Sequence, residues 1–280
     1  MITVTGATGN VGRELVRVLD AAGEAVTAVS RGAVRGETGD VVRDLPAGVR
    51  HVQADLTAPD DLRPALDGAD ALFLLAVGDH PQDLLDAAKA GGVRRVVLVS
   101  SLGVATRPDS YRHPAAFEAA LRGSGLDWTV LRSGGLNSNA LAWAESIRTD
   151  RVASAPFGDV GLPTVDPADV AEVAAAALLR PGHAGAVYEL TGPAPTTPRD
   201  RAAAIGAVLG EPVRFVEQTP EQARDQMRAF MPEPVVAGTL AILGEPLPAE
   251  RRVSPDVRRV LGRAPRPFAE WATRSAAAFR

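Results

Sequence analysis

Three glycines, Gly6, Gly9 and Gly12, fall within seven residues of the stretch "VTGATGNVG", directly behind the β-branched run from Ile2 to Thr5. After them "RELVRVLDAAG" carries apolar side chains at helical spacing (Val11, Leu15, Val18, Leu19) and ends on Gly23. Strand, glycine turn and helix in that order make a place to hold an anion. The first turn of a helix has unpaired N–H groups and roughly half a positive charge, and glycine lets a phosphate approach the backbone. Gly9 and Gly12 are therefore expected to leave room for a pyrophosphate, on a surface turn that other residues would not unfold. A second chemical signal lies at the end of the next strand, where Ser30 and Arg31 stand with Arg35 close behind. An acidic residue there would accept from a ribose 2′-hydroxyl, whereas an arginine pairs with a 2′-phosphate. The order of residues thus predicts NADP(H) in preference to NAD(H).

The elements that must position these groups alternate regularly. Strand-like runs occur at 25–31, 49–56, 71–77, 94–101 and 127–133, with helical segments near 59–66, 81–90 and 114–122 between them. The strands are nearly continuous in apolar residues, as in parallel strands covered on both faces. This predicts an α/β fold, a Rossmann-type doubly wound parallel sheet. Beyond residue 140 the regularity breaks, and "RVASAPFGDVGLPTV" reads as loop. A helix follows from Pro167, then the strand "AVYELTG", in which Tyr188 reads as a core residue, then a helix capped by Thr197 and Pro198. The expected division is 1–194 as the dinucleotide domain, with 134–165 contributing to a substrate cleft. Residues 195–280 form a small C-terminal substrate lobe, closed by a helix that buries Phe268, Trp271 and Phe279.

Composition sets limits. The net charge is −4, so no basic face for nucleic acid is expected. No run approaches the ~18 apolar residues of a membrane span, and "MITVTG" does not read as a secretory leader, which together predict a cytoplasmic protein. There is no cysteine, and the four histidines show no metal-ligand spacing, so no metal is expected. Lys89 is the only lysine among 30 basic residues.

The segments "VTGATGNVG", "SGLDWTVLRSGGLNSN", "VDPADVAEVAAAALLRPGHAGAVYELTGP" and "VRRVLGRAPRPFAEWA" span nearly the whole chain. In them the sequence resembles the NmrA-like group of atypical short-chain dehydrogenase/reductases, which includes NAD(P)H-quinone and triphenylmethane reductases. The resemblance implies NADP(H) bound on the Rossmann domain and a cleft beside the small lobe. It implies cofactor contacts from Gly6, Thr8, Gly9, Asn10, Val11 and Gly12 at the pyrophosphate, and from Ser30, Arg31 and Arg35 at the 2′-phosphate. Asp55 and Leu56 would flank the adenine, and Leu75, Ala76 and Val77 the middle of the cofactor. Ser100, Ser101, Ser133 and Gly134 would approach the nicotinamide. Gly135, Asn137, Asn139 and Trp143 would face the substrate.

The departures from that family's usual relatives matter as much. Short-chain dehydrogenases pair a tyrosine with a lysine four residues on, which lowers the phenol's pKa. Here Tyr111 is followed four residues on by Ala115, and Lys89 lies on the preceding helix. His113 is a candidate proton donor, with Ser101 and Tyr111 as the other catalytic candidates, and Glu118 stands where the family has a glutamate. Ketone reduction gains most from a strong acid; a quinone, enone, imine or dye spreads the charge and needs less. The expectation is an NADPH-dependent reductase of such a small molecule, acting as a monomer or homodimer. The alternatives are a non-catalytic NADP(H) sensor and a redox-neutral cyclase or isomerase.

Overall fold

The computed structural model describes residues 1–32 and 45–280. The first half runs β1 (Ile2–Thr5), α1 (Asn10–Ala21), β2 (Val26–Ser30), β3 (Arg50–Gln53), α2 (Arg63–Leu66), β4 (Ala71–Leu75), α3 (Pro81–Ala90), β5 (Arg95–Ser101), α4 (Gly103–Thr106), α5 (Arg112–Gly123) and β6 (Asp127–Ser133). Then follow α6 (Ala144–Asp150), β7 (Val152–Ala155), α7 (Pro167–Leu179), β8 (Ala186–Leu190), α8 (Pro198–Leu209), β9 (Arg214–Glu217), α9 (Pro220–Arg228), α10 (Glu233–Gly244), α11 (Pro248–Arg251), α12 (Asp256–Leu261) and α13 (Phe268–Arg274).

Seven strands form one sheet in the order β3-β2-β1-β4-β5-β6-β8. The pairings from β3 through β5 are parallel. Side chains on a strand alternate between faces. Leu72, Leu74, Val96 and Leu98 join a cluster with Leu84 and Leu85 of α3 and with Phe117 and Leu121 of α5. Phe73 and Val97, equally buried, point the other way. There α7 packs against β4 and β5 and against α1. Helices on both faces make this the doubly wound Rossmann-type sheet that the alternation predicts. Strand order reverses beside β1, which has β2 on one side and β4 on the other. In open α/β sheets the ligand crevice lies at such a reversal, outside the carboxyl ends of the strands. The glycine turn follows β1 at that place.

The chain divides into two compact units. The first comprises 1–101, 112–132 and 167–188; the second comprises 102–111, 133–166 and 189–280. The second unit has its own core, in which Trp143, Ile147, Ala153, Ile205, Phe268, Trp271 and Phe279 are buried together. A smaller cluster joins Ala223, Val236 and Leu240. Phe268 and Trp271 are buried on α13 as the sequence predicts, but that helix ends at Arg274, and Phe279, equally buried, belongs to the short turn after it. The loop expected over 151–165 does not hold throughout: Val152–Ala155 is β7, paired in parallel with β9 from Val152↔Arg214 to Ala155↔Glu217. Its four small residues carry no alternation, and its partner lies about sixty residues away, beyond the reach of any local pattern.

Candidate cofactor and active site

The turn after β1 is built by glycine twice over. Gly6 has φ +61°, a left-handed conformation that side chains resist, and a Cβ on it would collide with Leu75. Gly9 is the N-cap of α1; no side chain caps this helix and no acidic residue lies in its first turn. By contrast α8 and α9 have full capping boxes, Thr197 with Asp200 and Thr219 with Gln222. The first-turn N–H groups of α1 therefore suit an anion from outside the chain. Gly9 is exposed, and its Cβ would stand 3.2 Å from the Gly6 carbonyl oxygen. Gly12 differs from expectation. It is buried, and a Cβ there would run into the backbone of Gly6 and Ala7. Its glycine is required for α1 to sit against the turn, before any ligand enters.

At the end of β2, Arg31 is exposed, and its carbonyl accepts from the Gln53 amide at 3.1 Å. Asp55 lies close enough to feel its charge. The Asp55 carboxylate accepts the Thr57 N–H at 2.9 Å, which chiefly holds its pKa below the ordinary value, and Arg31 adds to this. Ser30 is buried, with its hydroxyl 2.8 Å from Nε2 of His51. Burial lowers the pKa of His51. The Ser30 hydroxyl thus has a partner within the protein. Arg35 lies outside the described residues. Leu56 does not flank an open site with its side chain, which belongs to the core cluster beside Leu62. Leu75 and Ala76 are half-buried and Val77 is exposed, on the strand end next to the glycine turn.

Ser100 is buried at the end of β5, and its hydroxyl donates to Glu118 at 2.7 Å. Glu118 is buried on α5 and also accepts from Arg132 through both oxygens, at 2.9 and 2.7 Å, and from Arg122. Burial would raise the Glu118 pKa, but the bonds from Arg132 and Ser100 and the charges of both arginines bring it below its ordinary value. One carboxylate thereby ties α5 to β5 and β6. Arg132 was not singled out by sequence reasoning; an arginine within the apolar strand "DWTVLRS" is the signal that a buried acid awaits it. Ser101 is half-buried beside this network. His113 is exposed on α5, with Nε2 2.6 Å from the Gly78 carbonyl oxygen and its ring 5.2 Å from that of Phe117. Lys89 stays on α3, paired with Asp86 at 2.8 Å.

In the second unit, Tyr111 is half-buried. Its ring leaves no space for a Cβ on Gly103, and its hydroxyl is 3.4 Å from that of Thr239. Arg107, four residues earlier, is held bidentately by the buried Glu250, at 3.0 and 3.2 Å. This bond, more than the nearby Tyr111, raises the Arg107 pKa. Ser133 turns its hydroxyl onto the Gly134 carbonyl, while Gly135 and Asn139 are exposed. Asn137 is fully buried with neither side-chain atom hydrogen-bonded, and the Ser138 hydroxyl is likewise without a partner. Trp143, which the resemblance places at the substrate, is buried. It lies in the core of the unit, with its indole N–H donating to the Ser154 carbonyl at 2.7 Å. Arg201 lies over its ring, with a pKa drawn down to about 10 by burial.

Among the described residues no cluster suited to a metal ion occurs, and no helix is long and apolar enough to cross a membrane. Over residues 6–181 the chain matches the NAD(P)H-binding family. It is 39% identical over 290 residues to a (4-alkanoyl-5-oxo-2,5-dihydrofuran-3-yl)methyl phosphate reductase of Streptomyces griseus, covering 100% of this chain and 99% of the relative. It is 36% identical over 292 residues to an NAD(P)H azoreductase of Xenophilus azovorans, covering 100% and 99%. The solved NADPH-dependent quinone oxidoreductase of Escherichia coli, complexed with NADPH, matches with a TM-score of 0.77 at 25% identity, over 98% of this chain and 99% of that one.

Proposed function

Because the chain belongs to the NAD(P)H-binding family, in the NmrA-like group of atypical short-chain dehydrogenase/reductases, we propose that it is an NADPH-dependent reductase of conjugated, electrophilic small molecules. Quinones, enones, imines and dye-like compounds form that class. The observation that carries this reading is the state of the only lysine: Lys89 is engaged with Asp86 and donates to the Ser124 carbonyl on the far side of α3. No lysine serves Tyr111, and Arg107 is neutralised by Glu250. A substrate whose charge is spread over a conjugated system needs no such acid. The names of the two relatives point the same way. A 5-oxo-2,5-dihydrofuran carries a ring double bond within reach of its carbonyl, and an azo compound a nitrogen–nitrogen double bond.

Bound NADPH supplies the hydride; the chain supplies position. The uncapped N-terminus of α1 holds the pyrophosphate, Arg31 pairs with the 2′-phosphate, and Leu75 to Val77 border the cofactor's middle. Glu118 fixes Ser100 near the nicotinamide, and the protein acts in the cytoplasm as a monomer or homodimer. Loss of NADPH absorbance at 340 nm tests the reading, with a simple ketone, a quinone, an enone and an azo dye offered in parallel. Oxidation with the conjugated compounds and little with the ketone is expected. Turnover of the ketone alone, or of none of them, would refute the proposal.

A further inference from the structure

The first unit holds a cavity of about 150 Å³ at the end of the sheet opposite the glycine turn. Arg95 opens β5 and stands in register with Ala71 of β4, which stands in register with Ile2 of β1. The cavity therefore lies level with the start of β1, not its end. Its charged and polar walls are Arg95, Arg180, His183, Thr129 and Asp127.

Charge in this cavity is out of balance. Arg95 is half-buried, yet among the described residues its guanidinium meets only the Leu178 carbonyl oxygen. Arg180 has no ion pair among the described residues. Elsewhere in the chain the half-buried Arg107 and Arg132 each meet a buried glutamate. A guanidinium has five N–H donors in a rigid fork, and most of those on Arg95 are left over. His183 adds another. Its Nδ1 is 2.8 Å from the Tyr188 hydroxyl, which leaves Nε2 for a different partner. The Thr129 hydroxyl donates to the His183 carbonyl at 2.8 Å and fixes the loop. Burial, then the positive charges of Arg180 and Arg95, hold the His183 pKa below its ordinary value. The one carboxylate in the lining, the exposed Asp127, offsets a single guanidinium. The volume suits a few waters, each filling about 30 Å³, or one compact anion.

We propose that this cavity binds a tetrahedral oxyanion, the phosphate group of a small phosphomonoester or free phosphate, between Arg95, Arg180 and His183. Arginine's fork matches two phosphate oxygens at once, and the imidazole donates to a third. The site lies away from the glycine turn, so cofactor and anion bind together.

Calorimetry on the protein saturated with NADPH, which fills the pyrophosphate turn, tests this. Titration with inorganic phosphate should give one site per chain. Arg180→Glu, at an exposed position that leaves folding intact, should weaken binding at least about tenfold, and Arg95→Ala similarly; Arg214→Glu, exposed on β9, should leave it unchanged. Sulfate keeps its charge from pH 7.5 to 5.5, so its affinity should rise over that range as His183 gains a proton. Glycerol phosphate binding tighter than inorganic phosphate would identify a phosphomonoester as the ligand, and equal binding would identify free phosphate. Absence of binding, or binding that Arg180→Glu does not weaken, overturns the proposal. A sulfate affinity that is flat with pH removes His183 from the site.

Discussion

Arg31 stands exposed at the end of β2, where its charge and that of Asp55 act on each other. Its proposed pairing with the 2′-phosphate predicts that Arg31→Ala weakens NADPH by roughly 10- to 150-fold, the range of a charge-assisted hydrogen bond, and weakens NADH little. Equal losses in calorimetric affinity for both cofactors would remove Arg31 from that role. Tyr111 predicts the reverse of its usual importance. Tyr111→Phe should lower kcat less than about tenfold, against the ~10²–10⁴-fold of a general acid. Its hydroxyl lies 3.4 Å from that of Thr239, and Arg107, four residues earlier, is held by Glu250. A steady-state collapse with cofactor affinity intact would restore tyrosine as the acid. These roles differ in how far the sequence reveals them. The place of Arg31, exposed at the end of β2, is legible because the run of apolar strand residues stops there. The engagement of Ser30 with His51 is not, because it depends on the register of β2 against β3.

Between elements, glycine and glutamate do different work. Gly9 and Gly12 read alike in sequence, yet one is exposed at a helix start and the other is pressed against the backbone of Gly6. Gly9→Val should abolish cofactor binding with little loss of stability. Gly12→Val should lower the urea midpoint as well, because α1 must move away from the turn. Equal midpoints for the two variants would show that the contact is not a constraint. Glu118 links α5, β5 and β6, and Glu118→Gln leaves Arg132 without its counter-charge. Breaking a buried pair in this way costs about 3–5 kcal/mol, readable by urea unfolding. The doubly wound sheet was legible because each β-α step is written locally in apolar runs and breaks. The network of Glu118 was legible only in part, as one glutamate, since Ser100 and Arg132 lie 18 and 14 residues away and only Arg122 is within one helical turn.

In the molecule as a whole, each unit keeps a buried glutamate under arginine: Glu118 in the first and Glu250 in the second. For Glu250, burial raises the pKa, and the bonds from Arg107 and the Leu247 N–H lower it further than burial lifts it. A carboxylate whose folded pKa is depressed adds stability above its unfolded value, about 4.3, and that stability is lost as pH falls through the folded pKa. Urea midpoints should therefore fall steeply below about pH 4, after a shallower decline between about pH 7 and 5 that comes from His51 and His183, whose pKa values burial lowers in the fold while the unfolded chain protonates them; a midpoint that rises on acidification would contradict both networks. The second unit also has a consequence in time. Its three segments are separated by pieces of the first, and among the described residues β7 finds its only strand partner in β9. During synthesis at roughly 5–20 residues per second, Val152 is joined to the chain about 3–12 seconds before its partner Arg214. The nascent chain must carry an unpaired strand edge through that interval, and a fragment ending at residue 194 would carry it permanently.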